Sequence, residues 1–275
     1  MRNILLKIEY DGTEFSGWQR QPQPGIRTVQ GELEAVLSRI CGRPVTIEGT
    51  GRTDAGVHAL GQCATFSGEF GIPVDRIAKA ANDILADSRF KSGPVRIISA
   101  REVEEGFHAR FSARGKTYVY RIFNGQDMPV FLRNTRYAVA KPLDLDLMKK
   151  AAQAIEGTHD FACFMAAGGN PQETTVRTVF GVRLASEEAA GGNGQDISIS
   201  VTGDGFLYNM VRIITGTLVD VGLGRIRPEE IPGIIESCDR KRAGHTAPPQ
   251  GLFMAEVYFD RQLMLQKAAG PWSER

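Results

Sequence analysis

The run Gly51-Arg52-Thr53-Asp54-Ala55-Gly56-Val57-His58-Ala59 sets an arginine, an aspartate and a histidine between glycines. An ionised carboxylate such as Asp54 can serve as a nucleophile or a general base. Glycines at 49, 51, 56 and 61 bracket the run, and a backbone rich in them can take positive φ and approach a ligand closely. Two readings follow from the spacing alone. In one the run is an active-site loop. In the other it is a turn in which Asp54 has the usual aspartate turn role and Arg52 is a surface ion-pair partner. His58, flanked by Val57 and Ala59, fits a structural role better than that of a general base.

Three further segments carry residue types suited to a ligand. Tyr10-Asp11-Gly12-Thr13-Glu14-Phe15-Ser16-Gly17-Trp18-Gln19-Arg20-Gln21 mixes aromatics, amides and a base, the types that stack on and hydrogen-bond unpaired nucleotides; the alternative is a turn with core anchors. Lys116-Thr117-Tyr118-Val119-Tyr120-Arg121 reads as a strand with Lys116, Tyr118 and Tyr120 on one face. Gly205-Phe206-Leu207-Tyr208-Asn209-Met210-Val211-Arg212-Ile213-Ile214-Thr215-Gly216 reads as an apolar helix start carrying one arginine. Leaving Arg212 buried and unpaired there costs about 3 to 5 kcal/mol, so it needs a counter-charge, and Asp54 is the first partner to test.

Composition narrows the chemistry. Cys41, Cys63, Cys163 and Cys238 are scattered, without Cys-x-x-Cys or histidine at ligand spacing, so neither a zinc site nor a disulfide framework is expected, and the thiols read as reduced core residues. No phosphate-cradling loop, dinucleotide fingerprint or Gly-x-Ser-x-Gly elbow is present, so the chemistry is expected to run without a cofactor. No apolar stretch approaches a membrane span, and charges come too early for a secretory leader, so a cytoplasmic protein is expected. The net charge of +1 hides an asymmetry. Residues 1–75 carry 7 Lys/Arg against 9 Asp/Glu, residues 76–150 carry 15 against 8, and residues 151–275 carry 11 against 15. A basic middle third suits a phosphate-tracking surface, with ordinary solvated faces as the alternative.

The elements that must position these residues follow from periodicity. Strand 3–10, helix 29–41, a hairpin from 45–48 to 62–66, helix 73–86 and strand 94–103 give the order β-α-β-β-α-β. Strand 116–123, helix 144–156, strands 176–185 and 196–203, helix 206–222 and strand 252–259 repeat it, with an extra helix at 229–238. Loops are expected at 167–171 and at a glycine-rich hairpin tip, 189–194. The pattern predicts an α+β fold of two ferredoxin-like βαββαβ halves whose antiparallel sheets join into one central sheet, with a cleft between them. The expected domains are 1–105, carrying the Asp54 loop, 106–260, carrying the Tyr118 strand and Arg212 helix, and a short tail, 261–275.

Taken together, the Asp54 signature, the Tyr-Asp-Gly-Thr and Gly-Trp-Gln elements, Lys116-x-Tyr118 and Gly205-Phe206-Leu207 through Arg212 resemble the TruA family of tRNA pseudouridine synthases, in that family's order. Thr158-His159-Asp160-Phe161 and Phe253-Met254-Ala255 add to the likeness. The resemblance implies a cofactor-free homodimer that isomerises uridine to pseudouridine in the tRNA anticodon arm, at tRNA positions 38, 39 and 40. It also implies Asp54 as the essential aspartate, Tyr118 as the ring packing on the target base, and Arg52, Arg212 and Leu207 as further substrate-binding residues. Arg110, Arg114 and Lys116 are candidates for phosphate contacts. Such an isomerisation breaks the glycosidic N–C bond, turns the freed uracil and rejoins it through carbon. A paired uridine must first be extruded, at a cost of a few kcal/mol. Rival readings are an RNA-binding protein without chemistry and a nucleoside-hydrolysing glycosidase; the latter usually needs two carboxylates, and only Asp11 offers itself as the second.

Overall fold

The protein is described here by a computed structural model that covers residues 1–88, 91–169, 172–189 and 193–273; Asn170 and Pro171 of the expected loop and residues 190–192 of the expected hairpin tip lie outside them. The first elements are β1 (Arg2–Tyr10), α1 (Val29–Cys41), β2 (Glu48–Gly49), β3 (His58–Gly68), α2 (Val74–Leu85) and β4 (Val95–Val103). Next come β5 (Gly115–Asn124), β6 (Tyr137–Val139), α3 (Leu145–Gln153), β7 (Gly157–Asp160), β8 (Val176–Glu188) and β9 (Gln195–Gly203). The chain ends with α4 (Met210–Gly222), α5 (Ile231–Ser237), β10 (Leu252–Tyr258) and α6 (Arg261–Ala268). This is the mixed α+β class expected from the sequence. Two compact units are formed, one of Met1–Ala113 with Phe253–Phe259, the other of Arg114–Leu252 with Asp260–Arg275.

In the first unit the strand order is β4-β1-β3-β10, antiparallel except for β10, which runs parallel to β3 with Phe253 opposite His58. Ile4, Leu6 and Ile8 share one face of β1 and are fully buried, each contributing about 1.5 to 3 kcal/mol. Leu5, on the other face, is buried with Cys63 and Ala109, against which Val103, Phe107, Val257 and Phe259 pack. Helix α1 begins where the Thr28 hydroxyl accepts from Gly31 N and ends at Gly42, whose φ of 67° is left-handed. The hairpin is shorter on its first arm than expected. Residues 45–47 leave the ladder because side chains of α1 satisfy their backbone: Val45 N donates to Ser38 Oγ, Ile47 N donates to Glu34 Oε1, and Ile47 O accepts from Gln30 Nε2. Only Glu48 and Gly49 pair with β3, which in turn starts earlier, at His58.

In the second unit the order is β5-β9-β8-β7, antiparallel throughout, with β6 added parallel to β5. Strands β6 and β7 were not expected; at 3 and 4 residues they are too short to show alternation. Helix α4 starts four residues later than its apolar pattern, because Asn209 sits at its N-cap in the left-handed region, φ 59°. The tail forms α6, capped by Asp260, whose carboxylate accepts from Gln262 N and Leu263 N. The cysteines are free thiols, but only Cys63 and Cys163 are core residues: Cys41 is half-buried at the end of α1 and Cys238 is exposed just after α5, which corrects the expectation that all four are interior.

Candidate active site

Asp54 lies half-buried in the loop between β2 and β3, and the loop is held by its backbone. Trp18 N donates to Thr53 O at 3.0 Å, Gly56 N to Phe15 O at 3.4 Å, and Val57 N to Asp54 O at 3.1 Å. The Thr53 hydroxyl, on a buried residue, meets the Tyr10 hydroxyl at 2.8 Å. Burial pushes the Tyr10 phenol well above its usual range, so it stays protonated and neutral.

Two glycines let the segment after β1 press against this loop. A Cβ on Gly12 would fall 2.0 Å from Val57 O, and one on Gly17 would fall 2.6 Å from Thr53 O, with φ at +91° as a second reason for glycine there. A register shift near the end of β1 turns the chain into this approach. The aromatics of the segment therefore do not stack on nucleotides: Tyr10, Phe15 and Trp18 are buried, and the Trp18 ring lies under Gly49. They are core anchors beneath the Asp54 loop.

His58 is also buried, with its ring stacked on Phe253 at 4.6 Å. Its Nδ1 lies 3.0 Å from Gly12 N and 3.2 Å from Asp11 Oδ1, joining the same two segments. That ring nitrogen, helped by Thr13, holds the Asp11 carboxyl well below the usual carboxylate range. Arg52 is exposed, and its Nε donates to Gln19 Oε1 at 3.1 Å.

In the second unit, Tyr118 is buried on β5, and its ring meets Phe206 edge to face at 5.1 Å. Tyr120, two residues on, is fully buried and donates its hydroxyl to Pro248 O, so it belongs to the core. Arg212 sits in the first turn of α4, half-buried, with Nε donating to Ala247 O at 2.7 Å and Nη1 to Asn209 Oδ1 at 2.6 Å. Ala247 N returns a bond to Arg212 O, so the arginine and the 244–248 loop hold each other. Leu207 is buried and its carbonyl accepts from Met210 N at the helix start.

The basic middle third is partly neutralised. Arg76, Lys79, Arg96, Lys149 and Lys150 each lie against a carboxylate, as solvated faces would have it, and Arg136 pairs with Asp196 in a largely buried position. Arg110 and Arg114 are exposed and Lys116 is half-exposed. Among the described residues, no group of three or more His, Cys, Asp or Glu is placed to hold a metal ion, and no helix is long and apolar enough to cross a membrane.

A family model described as tRNA pseudouridine synthase matches residues 7–112 and 151–260, which take in the Asp54 loop, its glycine contacts, Leu207 and Arg212. The chain belongs to that family. Among similar proteins, tRNA pseudouridine synthase A of Acetivibrio thermocellus is 46% identical over 94% of this chain and the whole of that relative. The protein of the same name from Ruminiclostridium cellulolyticum is 44% identical over the same shares. tRNA pseudouridine synthase A 2 of Clostridium tetani is 42% identical over 94% of this chain and 99% of its own. A tRNA pseudouridine synthase is an isomerase that converts uridine to pseudouridine in tRNA, and this is the activity the chain carries.

Sequence reasoning singled out Asp54 without its supports. The Gly12 and Gly17 contacts and the Tyr10–Thr53 bond were missed, although the spacing Asp11-Gly12 and Gly17-Trp18 was a signal for close backbone approach.

Proposed function

We propose that the protein modifies uridines 38, 39 and 40 in the anticodon arm of tRNA, with Asp54 as the carboxylate that acts on the flipped nucleotide. The observation that carries this reading is the clamped loop: a half-buried aspartate whose neighbours Thr53 and Val57 are fixed by Trp18 N, by the Tyr10 hydroxyl and by Gly12. Such preorganisation favours chemistry over a mere turn, because a reactive group displaced by about 1 Å loses about a hundredfold in rate. Tyr118 packs against the target base through its ring. Its edge-to-face contact with Phe206 supports a positioning role over proton transfer. Arg52, Arg212 and Leu207 bind substrate, Arg212 from a fixed place because Ala247 O and Asn209 Oδ1 hold its guanidinium.

Arg110, Arg114 and Lys116 take phosphates, in keeping with their exposure. The active form is a homodimer that needs no cofactor, as the resemblance implies, and it works in the cytoplasm, in keeping with a sequence without an apolar span. The test is to incubate the protein, without added cofactor, with tRNA bearing tritium on uracil C5, the carbon that forms the new bond, and to map the modified positions. Tritium release confined to positions 38–40 is expected. Release at other positions alone would move the substrate, and no release from a tRNA-binding preparation would sink the isomerase reading.

A further inference from the structure

Asp220 is a buried carboxylate that the activity does not yet use. It stands on α4 about two turns, or about 12 Å, beyond Arg212. Its charge is met from two sides. Oδ1 accepts from Arg225 Nη1 at 2.8 Å, while Oδ2 lies 3.1 Å from His245 Nδ1 and accepts from His245 N at 3.4 Å. A carboxylate only accepts, so Nδ1 carries a ring proton there, and in the neutral ring Nε2 is left to accept from the Tyr137 hydroxyl at 3.2 Å. Burial, with Asp220 adding to it, pushes the Tyr137 phenol up, so Tyr137 keeps the proton it donates. The imidazole is thus fixed at both nitrogens.

His245 lies at one end of a strap, residues 244–248, that runs back along α4 to Arg212. Gly244 N donates to Thr217 Oγ1 at 2.9 Å. At the other end Ala247 N donates to Arg212 O at 3.1 Å, Ala247 O accepts from Arg212 Nε at 2.7 Å, and Pro248 O accepts from the Tyr120 hydroxyl at 2.6 Å. Arg240 braces the strap as well, through Gly244 O and Thr246 Oγ1. The approach to the helix is so close that a Cβ on Gly216 would run into His245 O. Asp220 therefore pins the end of the strap farther from Arg212, and Arg212 takes its Nε bond from the nearer end.

We infer that Asp220 and His245 are positioning residues for the isomerisation. By pinning the strap they set where Ala247 O stands, and Ala247 O sets the plane of the Arg212 guanidinium. They act through Arg212 and not on the nucleotide, so the inference rests on the reading of Arg212 as a substrate-binding residue. A guanidinium presents its donors as a flat fork, and releasing its Nε bond lets the fork turn. A misaimed group costs rate more than affinity, because tRNA affinity is spread over phosphate contacts elsewhere.

The test is a double-mutant cycle on the full chain, read by tritium release from tRNA labelled at uracil C5. His245→Ala is expected to lower kcat about tenfold, the scale of one hydrogen bond to a charged group, with KM for tRNA within about twofold of wild type. Arg212→Lys keeps the charge, loses the fork and is expected to cost at least about tenfold. Adding His245→Ala to it should cost less than about twofold more, because the group that His245 positions is already gone. His245→Asn puts an amide donor where Nδ1 stood and should bring turnover back to within about threefold of wild type. Asp220→Asn, which keeps size and removes charge, carries the same cycle if His245→Ala does not fold. Losses that multiply in the double variant would overturn the inference and make His245 a residue of the fold alone, and wild-type kcat in folded His245→Ala would overturn it too. Wild-type turnover in Arg212→Lys would defeat the reading of Arg212 and the inference with it, whereas a wild-type protein that releases no tritium would defeat the isomerase reading itself.

Discussion

Asp54 and Tyr118 are held by opposite means. Asp54 stands on irregular chain, and what fixes it is backbone: Gly12 and Gly17 let the segment after β1 come within contact of Val57 and Thr53, and main-chain bonds from Trp18 and Gly56 complete the clamp. Tyr118 stands inside a ten-residue strand paired with β9 along its length, and Arg212 in the first turn of a helix, so both are fixed by regular structure and by side-chain contacts. The difference bears on tolerance. A loop held by close approach fails when any atom is added at the contact, whereas a ring on a strand fails only when the ring itself is changed.

Short of removing the Asp54 carboxylate itself, the largest effect is expected at Gly12. In Gly12→Ala the new Cβ would lie 2.0 Å from Val57 O, so the loop must move. Turnover should fall about a hundredfold, with stability lowered by about 1 to 3 kcal/mol. Steady-state tritium release and urea unfolding measure the two, and wild-type turnover would mean that the loop is not positioned by this contact. A smaller loss, about tenfold, is expected for Tyr118→Leu, which removes the stacking face. Tyr118→Phe keeps the ring and should stay within about tenfold of wild type, the scale of one lost hydrogen bond. Abolished release in the Phe variant would reassign the hydroxyl to proton transfer.

The smallest effect concerns Asp11, beneath the same loop. Its carboxyl is held low by His58, so the charged form favours the folded state. This stabilisation is present above about pH 4 and is lost as the pH falls below it, through the folded-state value. The side chain is 56% exposed, so screening keeps the effect under about 1 kcal/mol. Asp11→Asn should therefore be slightly less stable than wild type in urea at pH 7, and the gap should narrow steadily as the pH falls below about 4. A gap that does not narrow below about pH 4 would show that the carboxylate is not what links Asp11 to His58.

Regular elements were legible wherever a hydrophobic period ran for two turns or more. Helix α1 falls on the expected residues because Val29, Leu33, Val36 and Leu37 make its stripe and Gly42 stops it. The misses have local causes. Val45 and Ile47 look like strand residues, and tertiary bonds to Ser38, Glu34 and Gln30 override that propensity. Asn209 delays α4 by adopting a left-handed conformation that no apolar pattern announces.

Among the candidate residues, residue type pointed to Asp54 in the first unit and to Tyr118 and Arg212 in the second, since a carboxylate, a ring and a cation in such contexts are few. Which aromatics were anchors and which were presented was not legible. Trp18 and Phe111 are both large rings next to an arginine or glutamine in the sequence, yet one is buried and the other exposed, and only three-dimensional packing separates them.

The central claim is that the clamped carboxylate does the chemistry, and Asp54→Asn tests it most directly. The substitution keeps size and removes charge. Tritium release from tRNA labelled at uracil C5 should fall by a factor of about a thousand or more, the scale of a lost acid–base or nucleophilic group, while tRNA affinity stays within a few-fold of wild type. Release near the wild-type rate, or an equal loss of binding and release, would contradict the account and return Asp54 to the role of a turn residue.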